Sequence, residues 1–349
     1  MNNYFKNRAT QFSLNPKNIK KIALSPKNAL IELSNGCNHA CIFCKNSHQG
    51  RRTSHLDFNI YAKFVSEACD LGLNEIGLYS TGEPFMTKSL EQYISFAKKA
   101  GIRRVYITTN GALANLDKVK KCFEVGLDSI KFSINAGNEK DYLLVHGVND
   151  FNKVKKNVED IYNWKVISNI QLQLLGSCVL IPSLTHTKTQ HYNIFSKYFE
   201  DITYNYSSSQ AGQIFDIPIK KEELRNIFFS KPEISDDDKI EPCDMLWNRY
   251  HLTAEGYLTT CCVDYDLNLV FGDIKSEPLK KIWNNEDIKS LRQKHLDSDL
   301  SGTLCNQCLR NKKCNYKPLL DVTKKKLNSE QFDKKQSELI TRIDSLNKS

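Results

Sequence analysis

Cys37, Cys41 and Cys44 stand at C-x3-C-x2-C spacing within SNGCNHACIFCKNS, residues 34–47. Thiolates grouped this closely are ligands for zinc or for an iron–sulfur cluster. A closed site of either kind takes four protein ligands, and no fourth cysteine is near. His48 completes C-x3-C-x2-C-x3-H, a workable zinc set. The other reading is a cluster with one iron left open. A second group lies in the last third of the chain. Cys243, Gly256 and Cys261 read C-x12-G-x4-C, then come Cys305-x2-Cys308 and, after five more residues, Cys314. Two distant pairs suit a closed four-ligand site, and spacing alone allows zinc and iron–sulfur equally.

Twelve cysteines without a secretory signal argue for metal or redox chemistry over disulfides. Cys69, Cys122 and Cys178 are solitary and read as small buried hydrophobes. Cys262 reads as a buried neighbour of a ligand, with hydrogen-atom donor or substitute ligand as its functional alternatives. The net charge of +9 includes six Lys or Arg and no acid in residues 1–28. That basicity suits solvated surface, or an anionic substrate. No nucleic-acid-binding module is recognisable, and no run approaches the apolar length of a membrane helix. A cytoplasmic protein is expected.

These residues need a frame. Apolar strand candidates ALIELSN (29–35), EIGLYST (75–81), RVYITTN (104–110), SIKFSIN (129–135), NIQLQLL (169–175) and DITYNYS (201–207) alternate with stretches of helical period. Three of those stretches close on Gly72, Gly101 and Gly126. Strand and helix in alternation imply α/β architecture with a parallel sheet, doubly wound or a partial barrel. Ligands of such sheets bind at strand C-termini, where Cys37, Thr81, Asn110 and Asn135 fall. Gln173, Tyr204 and Ser208 are expected to line the interior. Five segments follow: a basic extension (1–28), the α/β domain (29–219), a linker (220–242), a cysteine-rich α+β module (243–320) and a Lys-rich tail (321–349). In the tail, Phe332, Leu339, Ile343 and Leu346 predict one amphipathic helix, docked or self-associating.

C-x3-C-x2-C with Phe43 before its last cysteine, directly after the first strand of a (β/α)6 pattern, resembles the radical S-adenosylmethionine superfamily. The resemblance implies a partial (β/α)6 barrel. It implies that Cys37, Cys41 and Cys44 hold three irons of a 4Fe-4S cluster, with S-adenosylmethionine on the fourth. Thr81-Gly82-Glu83-Pro84 resembles the family's Gly-Gly-Glu-Pro motif, with threonine in the first position; Gly82, Glu83 and Pro84 would serve the methionine amine. TTNG (108–111) resembles the end of the third strand. Ser133 would meet the ribose, and the Phe43 backbone the adenine. Residues 243–320 resemble SPASM/twitch domains, including FGDI (271–274) and KKIWNNEDIKSLR (280–292). Two cysteines of the longer SPASM form are absent, one of them at Pro318. The shorter twitch form implies one auxiliary 4Fe-4S cluster on Cys243, Cys261, Cys305 and Cys308, with Cys314 left over.

The activity implied is reductive cleavage of S-adenosylmethionine to a 5′-deoxyadenosyl radical that abstracts a substrate hydrogen. The electron would come from a one-electron reductant such as flavodoxin or ferredoxin. An auxiliary cluster with four protein ligands can accept an electron, which suits oxidation; hydrogen return from a thiol gives epimerisation. The substrate expected is a small polar molecule, sugar- or cyclitol-like. The alternative is a peptide-modifying maturase with a separate leader-binding partner, since only 36 residues precede the first cysteine.

Overall fold

The computed structural model describes residues 4–12, 19–216, 232–322 and 329–346. Six parallel strands follow one another across the sheet: β1 (Asn28–Ile31), β2 (Glu75–Gly77), β3 (Arg104–Thr109), β4 (Ser129–Ser133), β5 (Gln173–Leu180) and β6 (Asp201–Tyr206). Helices connect them, and their ends are set locally. In the helix Phe58–Asp70 the Asp57 carboxylate accepts from the amides of Asn59 and Ile60, while Tyr61, Phe64, Val65 and Ala68 are buried. Gly72, Gly101 and Gly126 follow three of the helices with φ of +92°, +98° and +106°, a region open to glycine without penalty.

Alternation along each strand separates two environments. On β4, Ile130 and Phe132 join the core under the helices, and Ser129, Lys131 and Ser133 occupy the opposite, inner face. The N-terminal helix Tyr4–Phe12 lies against that inner face. Arg8 pairs with Glu75 at 2.8 Å, the Phe5 amide donates to Asp201, and Arg104 donates to the Tyr4 hydroxyl.

The fifth strand differs from expectation. It runs from 173 to 180 rather than 169 to 175, because Asn169, at φ +49°, closes the helix Phe151–Ile167. The Ile170 amide still donates to Lys165 O at 3.2 Å. Gly176 marks the strand instead, since a β-carbon there would lie 2.6 Å from the Phe199 ring.

The cysteine-rich module is not a separate layer. Its first strand, β7 (Tyr250–Leu252), pairs parallel to β1, and β8 (Tyr257–Thr259) and β9 (Val270–Asp273) continue antiparallel, giving one nine-stranded sheet. Of the linker expected at 220–242, residues 220–231 lie outside the described residues. The C-terminal helix Ser329–Leu346 is docked: Leu339, Ile343 and Leu346 are buried with Ile42, Phe43, Val145, Ile181, Leu184 and Ile214. The side chain of Phe332 lies outside those described. No helix among the described residues is long and apolar enough to cross a membrane.

Candidate active site and cluster centres

The three-cysteine loop is held over the strand C-termini by its backbone. Ala40 and Ile42 donate to the carbonyls of His146 and Val145, each at 2.9 Å, which stitches the loop to the end of the helix Glu139–His146. Asn46 Nδ2 bridges Asn35 O at 2.8 Å and Thr81 O at 2.7 Å, tying the loop to the end of β2. Each sulfur then meets a different partner. Cys37 Sγ faces Asn110 Nδ2 at 3.8 Å, Cys41 Sγ faces His146 Nδ1 at 3.4 Å, and Cys44 Sγ faces the Tyr265 hydroxyl at 3.4 Å. His146 Nε2 accepts from the Asn135 amide at 3.1 Å, so Nδ1 carries the ring proton, with Cys41 Sγ and His39 Nδ1 (3.2 Å) both in reach as acceptors. Burial, with His39 and Arg342 nearby, keeps this imidazole neutral.

Burial pushes the Cys37 thiol up to about 12, with Glu83 and Cys44 adding to it. Cys41 is likewise raised, by burial and then by Cys44 and Cys37. Three thiols brought together so that each opposes ionisation of the next are matched by a cationic metal centre. The spacing argues against a single ion. Among the described residues, the one group whose ligand atoms all lie within 4.8 Å of one another is His39, Cys41 and His146, not the three cysteines and not His48. Three sulfurs spread more widely suit a cluster in which each binds its own iron.

The Gly-Glu-Pro turn packs against this loop. The Glu83 amide donates to Gly36 O at 2.8 Å, and a β-carbon on Gly82 would lie 2.1 Å from Ser34 O. The Glu83 carboxylate accepts from Phe85 N, Thr109 Oγ1 (2.7 Å) and Asn110 N (2.9 Å), so it caps the short turn Pro84–Met86 and ties β2 to β3. Burial still raises it to about 7. Ser133 is on the inner face of β4, in register with Ser177. Phe43 is buried beneath the C-terminal helix.

In the module, Cys305 is raised by burial and then by Cys308 and Cys243, while Cys261 responds to Cys262 and to Cys308. These residues share one environment. Cys314 stands apart, with its sulfur at 3.4 Å from Asn306 Nδ2 and Lys312 and Asp236 for neighbours. Cys69 is only partly buried, whereas Cys122 and Cys178 are buried as expected.

Two expectations for the interior are corrected. Tyr204 faces the helical layer, its hydroxyl 3.1 Å from His191 Nδ1, because its strand parity is that of Cys178 rather than Ser177. Ser208 is exposed. Gln173 does lie on the inner side, where it accepts from Arg104 at 2.7 Å. Sequence reasoning missed His39, His146 and Tyr265, which carry no local signal. It also passed over Glu32 and Lys131, charged residues inside apolar strand stretches, which did carry one.

Residues 31–171 match the family model of the radical SAM superfamily, and residues 243–309 match that of an iron–sulfur cluster-binding domain, SPASM. A probable GTP 3′,8-cyclase of Sulfolobus acidocaldarius is 29% identical over 130 residues, 37% of this chain and 41% of that protein. The chain thus spans less than half the length of such relatives. Among solved structures, BtrN in complex with AdoMet and 2-DOIA superposes with a TM-score of 0.53 at 18% identity, covering 82% of this chain and 94% of BtrN. SuiB of Streptococcus suis, bound to precursor peptide SuiA, superposes with a TM-score of 0.58 at 13% identity, covering 83% of this chain and 72% of SuiB. At these identities the likeness is one of fold.

Proposed function

The chain belongs to the radical S-adenosylmethionine superfamily and carries a SPASM iron–sulfur domain, and from that premise we propose that it oxidises or epimerises a small polar, sugar- or cyclitol-like molecule inside the barrel. In this reading Cys37, Cys41 and Cys44 hold the S-adenosylmethionine-binding 4Fe-4S cluster, and Cys243, Cys261, Cys305 and Cys308 hold an auxiliary one. With S-adenosylmethionine and a one-electron reductant, the clusters supply a carbon-centred radical that removes a substrate hydrogen atom, and an acceptor for the electron left behind.

The observation that carries this reading is the junction of module and barrel: β7 pairs with β1, and the Tyr265 hydroxyl of the module lies 3.4 Å from Cys44 Sγ of the loop. The module therefore reaches the chamber that the three-cysteine loop covers. This chain's residues then have distinct tasks. Gly82, Glu83 and Pro84 shape the turn offered to the methionine moiety, and Ser133 presents a hydroxyl to the ribose. His146 presents its Nδ1 proton to Cys41 and His39. The helix Tyr4–Phe12 lies against the inner face and keeps water from that end of the chamber, and the C-terminal helix buries Ile42 and Phe43 of the loop.

The test is anaerobic reconstitution with titanium citrate or flavodoxin as reductant. The protein should hold about eight irons, two cubanes of four, and release 5′-deoxyadenosine faster with a panel of sugar and cyclitol derivatives. Deuterium from solvent in recovered substrate identifies epimerisation, and a product lighter by two hydrogens identifies oxidation. Stimulation by peptides alone would overturn the small-molecule reading.

A further inference from the structure

Lys131 occupies the middle of a parallel strand, on its inner face, paired in register with Thr108 and Leu175. Its ammonium has aromatic neighbours: Nζ lies 5.8 Å from the Tyr79 ring and 6.0 Å from the Phe5 ring. The rings of Tyr79 and Tyr106 meet edge to face at 6.0 Å. Arg249, the residue before β7, shares the strand parity of His251, which is in register with Leu30 of β1, and so enters the same lumen, where its charge acts on both Lys131 and Tyr79. Arg249 Nε is buried without a hydrogen-bond partner. Among the described residues no carboxylate lies within ion-pair distance of Lys131 or of Arg249. The inner-face carboxylates of the described strands are already engaged: Glu75 pairs with Arg8, Glu32 pairs with Arg51, and Asp201 accepts from the Phe5 amide.

Two like charges held in the lumen with no carboxylate at ion-pair distance disfavour each other, and aromatic neighbours only partly offset this. Burial and Arg249 together bring Lys131 down to about 8, which reports the same unmet charge. Among the described residues, the Cys262 thiol also reaches this space.

We propose that Lys131 and Arg249 form an anion-recognition site in the barrel lumen, which binds a carboxylate or phosphate group of the small-molecule substrate. The inference rests on the barrel being the reaction chamber, as proposed above. Lys131 lies two residues before Ser133 on β4, so it is deeper than the strand ends where the cysteine loop sits. A substrate anchored there has its charged end down the barrel and its reacting carbon towards the loop. The two tyrosine rings flank the anchored group and limit its width.

The test uses the full chain, anaerobically reconstituted and loaded with S-adenosylmethionine, in equilibrium dialysis against radiolabelled orthophosphate and, separately, radiolabelled succinate. At least one should bind saturably. Lys131→Met and Arg249→Met should each weaken that binding about tenfold or more, equivalent to roughly 1.4 kcal/mol, while Cys262→Ser leaves it within about threefold. Preference for orthophosphate identifies a phosphate ester, and preference for succinate a carboxylate. Iron content and S-adenosylmethionine binding should be unchanged in both variants. A second measurement guards against misfolding: in anion-free buffer Lys131→Met and Lys131→Gln should melt no lower than wild type, since each removes an uncompensated charge, and both should lose the anion-dependent rise in Tm. Absence of saturable binding by either anion, or binding that survives both methionine variants, overturns the site. Loss of iron or S-adenosylmethionine binding in the wild type would instead count against the radical S-adenosylmethionine reading.

Discussion

At position 82 a side chain and the cysteine loop compete for one space, since a β-carbon would meet Ser34 O, Gly36 O and Asn35 C at 2.1–2.9 Å. Backbone cannot swing aside as a flexible side chain can. Gly82→Ala should therefore displace the loop, and reconstituted protein should lose roughly four of its eight irons along with S-adenosylmethionine binding. Full iron content in that variant would show that the loop tolerates the shift. Glu83 gives a pH signature. Its folded-state value of about 7 lies above the usual 4.5, so the folded protein binds the proton more tightly than the unfolded chain. The cluster-free protein should lose stability as pH rises from about 4.5 to about 7, and Glu83→Gln should flatten that part of the profile. A denaturant series across this range measures both.

Elements are tied together by a buried charge network and by a docked helix. Glu32 at the end of β1 accepts from Arg51 at 2.6 Å, from the Ala254 amide at 2.9 Å and from the Thr81 hydroxyl, and Arg51 also pairs with Glu255 at 2.6 Å. Burial alone would raise the Glu32 carboxyl, and Arg51 brings it below its usual range. One arginine thus joins the cysteine-loop segment to the hairpin between β7 and β8. Arg51→Ala leaves a buried carboxylate unpaired and should cost about 3–5 kcal/mol, read as a lower urea midpoint. The C-terminal helix makes a different prediction. Leu339, Ile343 and Leu346 cover Ile42 and Phe43, each apolar side chain contributing about 1.5–3 kcal/mol of burial. Ending the chain at residue 328 should lower Tm and speed bleaching of the loop cluster by oxygen, while the auxiliary cluster bleaches at its wild-type rate.

For the whole molecule, continuity of the sheet matters most. Because β7 pairs with β1, the module shares the barrel's core, and Trp247 and Trp283 donate to the backbone of Lys20 and Leu24. The core buried there still draws support from its metal, as small cysteine-rich units do. Cys305→Ala and Cys308→Ala should each retain about four irons, precipitate more readily, and still cleave S-adenosylmethionine at the loop cluster. Cys314→Ala should match wild type in iron and spectra, since its sulfur meets Asn306 and the Lys312 carbonyl. An auxiliary cluster lost in Cys314→Ala would replace the four-ligand set with one that includes it.

What was legible in the sequence was local. Helix ends at Gly72, Gly101 and Gly126, the strand series, the cysteine loop and the Gly-Glu-Pro turn all follow from periods and chemistry spanning a few residues. The tertiary structure alone decided which distant groups meet. His146 reaches Cys41 across 105 positions, Tyr265 reaches Cys44 across 221, and Arg249 joins Lys131 only because β7 lies beside β1. Tyr204 shows the same limit at short range: a one-residue change of parity sends a side chain from lumen to helix layer, and alternation in DITYNYS does not reveal which face is inner. Strand direction and register are set by the packing of the entire sheet, so the residues they bring together cannot be read from any one stretch of chain.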